Sequence, residues 1–331
     1  MQERGNDMRF KQLSLTAFIG LLAMLLTACR QETNQTHKAA RVGIIQYAEH
    51  SALDAAREGF IEALEQGGFK EGKNLTITTK NAQGDQANLQ TMVEQLAGKN
   101  DLQLAIATPA AQALLNVDSL TPAVFTAVTD PVSAGLVDTL AKPGGNMTGS
   151  IDATNVENQI DLLTKAFPQA RTVGIFYNSS EVNSEVQAKK AKRELEKKGL
   201  KVLMKTVTTT NDVQQVMTSL VSQVDAVYLP TDNTVASTAA TIGDILKEAK
   251  IPSMGSDAAY LSAVLFTSGV DYHAIGMQAG QQAVDILKGK KPASIQVAKP
   301  QKASIAVNDD MARLLGIDPE VIKALASNGA N

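Results

Sequence analysis

From Arg41 onward, short apolar runs alternate with segments whose apolar residues recur at helical spacing, and the alternation runs through the chain twice. The first series opens with a strand at Val42-Gly43-Ile44-Ile45. A helix follows over Ala52 to Glu65, with Leu53, Ala56, Phe60, Ile61 and Leu64 on one face and Gly67-Gly68 at its end. Leu75 to Thr78, Leu104 to Ala107 and Ala123 to Thr126 read as further strands. Helices are expected through Met92, Val93 and Leu96, from Ala110 to Leu115, and through Val132, Leu136 and Leu140, before Pro143-Gly144-Gly145-Asn146 breaks the chain. The second series begins after Gly149. A helix is marked by Ile160, Leu163 and Phe167, a strand by Val173 to Tyr177, and a charged helix, read as a solvated face, by Glu185 to Lys198. Strands at Val202 to Met204, Ala226 to Leu229 and Ala263 to Phe266 follow, with a helix through Ile242, Ile245 and Leu246.

Repeated β-α units imply parallel sheets covered by helices on both faces. Two such series imply an α/β protein of two doubly wound parallel-sheet lobes joined by a hinge, and 331 residues suit two cores. The helix from Ile275 to Leu287 and the strand from Ser304 to Val307 come after both series, so they most simply return the chain to the first lobe and then to the second. Residues 41–150 with about 271–302 are then lobe 1, and residues 151–270 with about 303–331 are lobe 2.

The first residues have a different build. Arg9 and Lys11 precede an apolar run from Leu13 to Leu26. The run is about 14 residues long, short of the ~20 that span a bilayer as a helix. Basic flank and short apolar core make residues 1–28 a secretory signal, with Met1 or Met8 as its start. It ends in Leu26-Thr27-Ala28-Cys29, which resembles a bacterial lipobox. That resemblance implies lipid attachment at Cys29, the only cysteine of the chain, and location on the outer face of the cell membrane. Polar residues from Arg30 to Lys38 cannot bury a core, so 29–40 reads as a flexible tether.

Composition excludes several functions. The formal net charge is −3, which offers no basic field for nucleic acid. Trp is absent and aromatics are 4%, too few for a base-stacking surface. One cysteine makes neither an intramolecular disulfide nor a thiolate metal site, and His37, His50 and His273 lie far apart. There is no Gly-x-Ser-x-Gly, no Walker loop and no glycine fingerprint after the first strand, where Gln46-Tyr47-Ala48-Glu49 stands. Glu49-His50 is an acid-base pair without a nucleophile and reads as a capping or hydrogen-bonding feature. The expectation is a protein that is not an enzyme and takes no metal or cofactor.

Polar residues at the strand ends carry the functional signal, because open sheets of this kind bind ligands beyond the carboxyl ends of their strands. Such segments are Gln46 to Asp54, Thr108-Pro109-Ala110-Ala111, Thr126 to Pro131, Asn178-Ser179-Ser180, Pro230-Thr231-Asp232-Asn233 and Ser256-Asp257. Helix amino ends favour a carboxylate, and Asp130, Asp232 or Asp257 could meet an ammonium. Thr108, Asp130 and Asp232 could equally be helix caps.

These blocks resemble the ABC transporter substrate-binding family that includes the streptococcal tryptophan-associated binding proteins. Leu53 to Phe60, Asn81 to Asp85, Ala105 to Ala113, Phe125 to Pro131, Gly144-Gly145-Asn146 and Leu229 to Asn233 carry the resemblance, which runs from Arg41 to about Gly316. His50-Ser51 stands where His-Pro is more usual. The resemblance implies a periplasmic-binding-protein type I fold and a monomer that delivers a small ligand, often an aromatic amino acid, to an ABC permease and its ATPase. A sensor that presents the ligand to a membrane receptor would use the same body. In either case Thr108, Ala110, Thr126 and Ala127 are expected to hold one end of the ligand. Asn178, Thr231, Asp232 and Asp257 are expected at its polar or cationic end, with Tyr47 stacked on a ring.

Overall fold

A computed structural model describes residues 39–301 and 303–328. The expected leader, Cys29 and most of the tether lie outside the described residues.

The first sheet is built from β1 (Ala40–Gln46), β2 (Leu75–Asn81), β3 (Leu102–Ile106), β4 (Ala123–Val128) and β5 (Met147–Ile151). All its pairings are parallel, in the order β2-β1-β3-β4-β5. The central strands β3 and β4 are buried throughout, while edge strand β2 is mostly exposed or half-buried. That contrast follows from helices covering both faces, which lets a central strand be apolar on both sides. Helices α1 (Ser51–Gln66), α2 (Gln86–Leu96) and α3 (Thr108–Val117) make the crossovers.

Chain then enters the second lobe through α4 (Val156–Ala166), β6 (Thr172–Asn178), α5 (Val182–Lys197), β7 (Lys201–Val207), α6 (Val213–Val221) and β8 (Ala226–Leu229). It continues with α7 (Asn233–Ser237), α8 (Ala239–Ala249), β9 (Ser253–Gly255) and β10 (Phe266–Gly269). The sheet runs β11-β10-β9-β8-β6-β7. Its five strands β6 to β10 repeat the connectivity of the first sheet, and β11 (Ser304–Val307) adds an antiparallel edge. In both sheets the strand order reverses beside the first strand, the place where such folds bind ligands.

The long helix α9 (Tyr272–Leu287) follows β10 but packs on the first lobe, against α1, β4 and β5. Small residues permit this. A Cβ on Gly59 would lie 2.2 Å from the His273 carbonyl oxygen, and one on Gly276 2.1 Å from that of Ala56. The chain returns to the second lobe for β11 and the helices α10 (Asp309–Leu315) and α11 (Pro319–Asn328). It thus passes between lobes at Asp152–Asn155, at Val270–Asp271 and before β11. Each lobe has its own core, centred on Phe125 and Ile44 in the first and on Phe176 and Tyr228 in the second.

Two expected elements differ. Residues 132–140 form turns, not a helix. Asp130 accepts from Ser133 N and Oγ, closing a tight turn, and Gly135 has φ +73°. The strand expected from Ala263 starts only at Phe266, because Ala263 and Val264 amides bond back to the Tyr260 carbonyl.

Candidate functional site

The carboxyl ends of both sheets face each other across a cleft. On the first lobe, β1 ends at Gln46 and His50 stands immediately before α1, offering no side-chain cap. β3 is followed directly by Ala107 at φ +82°, and Ala127 near the end of β4 has φ +55° where the pairing with β5 shifts register. Left-handed backbone at residues other than glycine costs energy, of order 1 kcal/mol, and concentrates at ligand sites. It turns these two strand ends into the cleft while α3 begins at Thr108.

On the second lobe, carboxylates cap the facing turns. Asp232 Oδ1 accepts from Val235 N at 2.8 Å, and its Oδ2 accepts from Asn178 N at 2.6 Å. Asp257 Oδ1 accepts from Ala259 N at 2.8 Å. Behind Asp232, fully buried Glu181 accepts from the backbone and side chains of both Asn233 and Thr234. Burial, with Asp232 beside it, lifts the Glu181 pKa to about 8, and the four donors oppose that rise.

These ends enclose a cavity of about 10 Å³, room for roughly one water molecule. The first lobe contributes His50, Leu53, Ala127 and Thr129. The second contributes Asn183, Thr231, Asp232, Asn233 and Asp257, and the chain crossings contribute Asp152 and Tyr272. Hydrogen bonds bridge the gap. His50 Nε2 lies 3.2 Å from Asn233 Oδ1. The Tyr272 hydroxyl lies 2.5 Å from Asp257 Oδ2 and 3.1 Å from Asp152 Oδ2.

Three of the lining side chains are aspartates, and none is Lys or Arg. Burial raises the pKa of all three, that of Asp152 to about 6. Burial also lowers His50, which favours its neutral ring. Buried polar atoms are nearly always hydrogen-bonded. Here His50 Nδ1, Asp152 Oδ1 and Asn183 Oδ1 in the lining have no partner, nor does Thr108 Oγ1 at the adjacent strand end. Among the described residues no group of three or more His, Cys, Asp or Glu is placed to hold a metal ion.

Of the residues singled out from sequence, Ala127, Thr231, Asp232 and Asp257 line the cavity. Five do not. Tyr47 is buried in the first core with its hydroxyl donating to the Gly84 carbonyl. Thr126 Oγ1 accepts from Ser150 within the sheet. Asn178 binds the Thr234 hydroxyl and caps Ser180, holding the Asp232 turn from behind. Thr108 and Ala110 are buried in the first turn of α3, set back from the lining. Asp152 escaped the sequence reading because the strand it follows, Met147–Ile151, carries no apolar run to mark it, and Tyr272 because it opens the long helix α9. His50 did carry a signal, as the polar residue directly before a helix.

Comparison with known proteins agrees with this architecture. The profile of the family described as ABC transporter substrate binding protein matches residues 41–328. A tyrosine-binding protein of Clostridioides difficile (strain R20291) is 37% identical over 317 residues, 92% of each chain. The solved ABC domain from Streptococcus pneumoniae in complex with L-Trp is 36% identical with a TM-score of 0.82, over 86% of this chain and 98% of that one. A substrate binding protein with adhesive properties from Clostridium difficile, in its ligand-free, open structure, is 42% identical, over 85% and 96%, yet its TM-score is only 0.65. The more identical chain superposes less well.

Proposed function

The chain belongs to the ABC transporter substrate binding protein family, and from that premise we propose that it captures an aromatic amino acid (Trp, Tyr or Phe) between its lobes and delivers it, unchanged, to the permease of an ABC importer. The observation that carries the ligand class is the cavity wall: buried aspartates with no Lys or Arg, and unpartnered polar atoms on both sides. Buried carboxylates without a cation are costly. An α-ammonium supplies the missing charge at Asp152 and Asp257. The ligand carboxylate turns toward the amino end of α3, where amides and the unpartnered Thr108 Oγ1 favour an anion. Ala110 lies in the same turn, and Leu53 and Ala127 give the ring an apolar wall. The aromatic preference rests on relatives above one-third identity, one named for tyrosine and one solved with L-Trp.

The cavity is far smaller than an amino acid, so the lobes must part to admit one. A ligand touching both walls then favours the closed arrangement by its differential affinity. Lipid on Cys29 would tether the body outside the membrane, within reach of the permease whose ATPase partner drives import from the other face, as a monomer with no role for nucleic acid.

The test is thermal unfolding of the full chain with each amino acid. A ligand at 100 times its Kd adds roughly 2.7 kcal/mol of stability. Trp, Tyr or Phe should raise Tm, and the matching arylpropionate, which lacks the ammonium, should not. Equal shifts for both compounds, or none for any aromatic amino acid, would sink the proposal.

A further inference from the structure

The Tyr272 hydroxyl sits between two buried carboxylates, 2.5 Å from Asp257 and 3.1 Å from Asp152. It has one hydrogen to donate. With that hydrogen directed to Asp257, the contact to Asp152 is a hydrogen bond only if Asp152 carries a proton and donates it. With the hydrogen directed to Asp152, the same holds for Asp257. Two like charges at this separation, both buried, also resist joint ionisation.

The surroundings supply no alternative cation. His50 faces Asp257 from the start of α1, and burial favours its neutral ring. Asp232, from the second lobe, adds negative charge when ionised, whereas Glu181 is mainly neutral below about 8, and Tyr260 adds none while its hydroxyl stays protonated. Asp257 keeps the Ala259 amide as a donor and has His50 beside it, whereas at Asp152 the Thr129 and Tyr272 hydroxyls oppose the effect of burial, and its Oδ1 has no partner. Asp152 is therefore the better seat for the shared proton.

We propose that in the ligand-free protein at mildly acid pH Asp152, Tyr272 and Asp257 share one proton beyond the Tyr272 hydroxyl hydrogen, and that the ammonium of the incoming ligand displaces it to solvent. Charge balances at acid pH: one cation enters as one proton leaves, so binding leaves the net charge around the two carboxylates unchanged. The inference rests on the amino-acid reading above and adds that capture is proton-coupled. Tyr272 and Asp152 then select for ammonium-bearing ligands, because a neutral isostere cannot take the proton's place.

The sign follows from linkage. Burial holds Asp152 at about 6 in the free protein, and an ammonium at hydrogen-bond distance pulls it well below that. Affinity is therefore complete above pH 6 and declines as pH falls. Between pH 7 and pH 5 the Kd should rise roughly tenfold. Free amino acids keep both their ammonium and their carboxylate through this range, so the proton comes from the protein.

The experiment is titration calorimetry of the full chain with L-Tyr and L-Trp, at pH 5 in acetate and in MES, and at pH 8 in phosphate and in Tris. Buffers of differing ionisation enthalpy report the protons released. Release approaching one proton per ligand at pH 5 and none at pH 8 is expected. Asp152→Asn should bind more weakly, with no release and a flat pH profile. Tyr272→Phe removes a donor to both carboxylates and should move the release midpoint to higher pH. His50→Gln, which alters the cavity wall, should change affinity, but each ligand bound at pH 5 should still release a proton. Binding with a pH-independent Kd and no buffer-dependent heat would overturn the proton coupling alone. So would release that survives Asp152→Asn but vanishes in His50→Gln, or a midpoint unmoved in Tyr272→Phe. Absence of heat with either amino acid at both pH values would overturn the amino-acid reading and this inference with it.

Discussion

Thr108 is 2% exposed, and its hydroxyl has no hydrogen-bond partner. Thr108→Val keeps the shape and removes the polar atom. A buried hydroxyl without a partner costs about 1–3 kcal/mol. Taking the lower end, the ligand-free variant should be about 1 kcal/mol more stable, a rise of roughly 1–2 °C in Tm for a chain of 331 residues. Ligand binding should move the other way. If Thr108 Oγ1 donates to the ligand carboxylate, the lost charge-assisted bond is worth about 1.5–3 kcal/mol, roughly ten- to a hundredfold in Kd. Thr148→Val is the matched control. Thr148 is fully buried too, but its Oγ1 donates to the Ile295 carbonyl at 2.8 Å, so the same exchange should lower Tm. Differential scanning calorimetry with and without L-Tyr or L-Trp reads both effects. A lower Tm for ligand-free Thr108→Val, or an unchanged Kd, would refute the reasoning that this hydroxyl is kept for the ligand.

Three other outcomes are expected. Gly276→Ala should destabilise by about 1–3 kcal/mol, because its Cβ would meet the Ala56 carbonyl at 2.1 Å; helix propensity alone would give a gain of about 1 kcal/mol, so denaturant unfolding decides by sign. Asp232→Asn leaves one oxygen for the two amides of Asn178 and Val235, and urea titration should show a loss of about 1.5–3 kcal/mol. In the unfolded chain His50 takes up a proton as pH falls through about 6.5, whereas the buried ring resists it, so the folded state loses stability in that direction. The stability drop between pH 7 and pH 5 should therefore be smaller in His50→Gln, as followed by thermal unfolding at each pH.

Periodicity made the two-lobe α/β plan legible, since buried strands such as Val173 to Tyr177 and amphipathic helices such as Ala52 to Glu65 leave period-specific patterns. Short elements left none. β9 has three residues and α7 five, too few for a period to register. The helix expected through Leu136 failed because local turn chemistry at Asp130 outweighed an apolar spacing that helices and turns share. The rule that ligands meet strand ends led to Ala127, Asp232 and Asp257. It missed Asp152 because Met147–Ile151 leaves no apolar run that marks a strand, and it missed Tyr272 because that residue opens a helix and meets Asp257 only in the folded chain. Nor could it tell an aspartate that faces the cavity from an asparagine such as Asn178 that braces the turn behind it.

The placement of α9 bears on how the chain comes to be folded. Its glycines lie within ångströms of α1, so the first lobe's outer layer is finished by residues that follow all five parallel strands of the second. A ribosome adds about 5–20 residues per second. For several seconds the nascent first lobe would show the apolar side of α1, with Ala56 and Phe60, to whatever is nearby. Its last helix arrives only after the second lobe has had time to assemble. A fragment ending at Ile151 should accordingly behave as a partly folded, aggregation-prone species. The second lobe can gather its parallel strands early, so the lobe written first in the sequence is the one completed late.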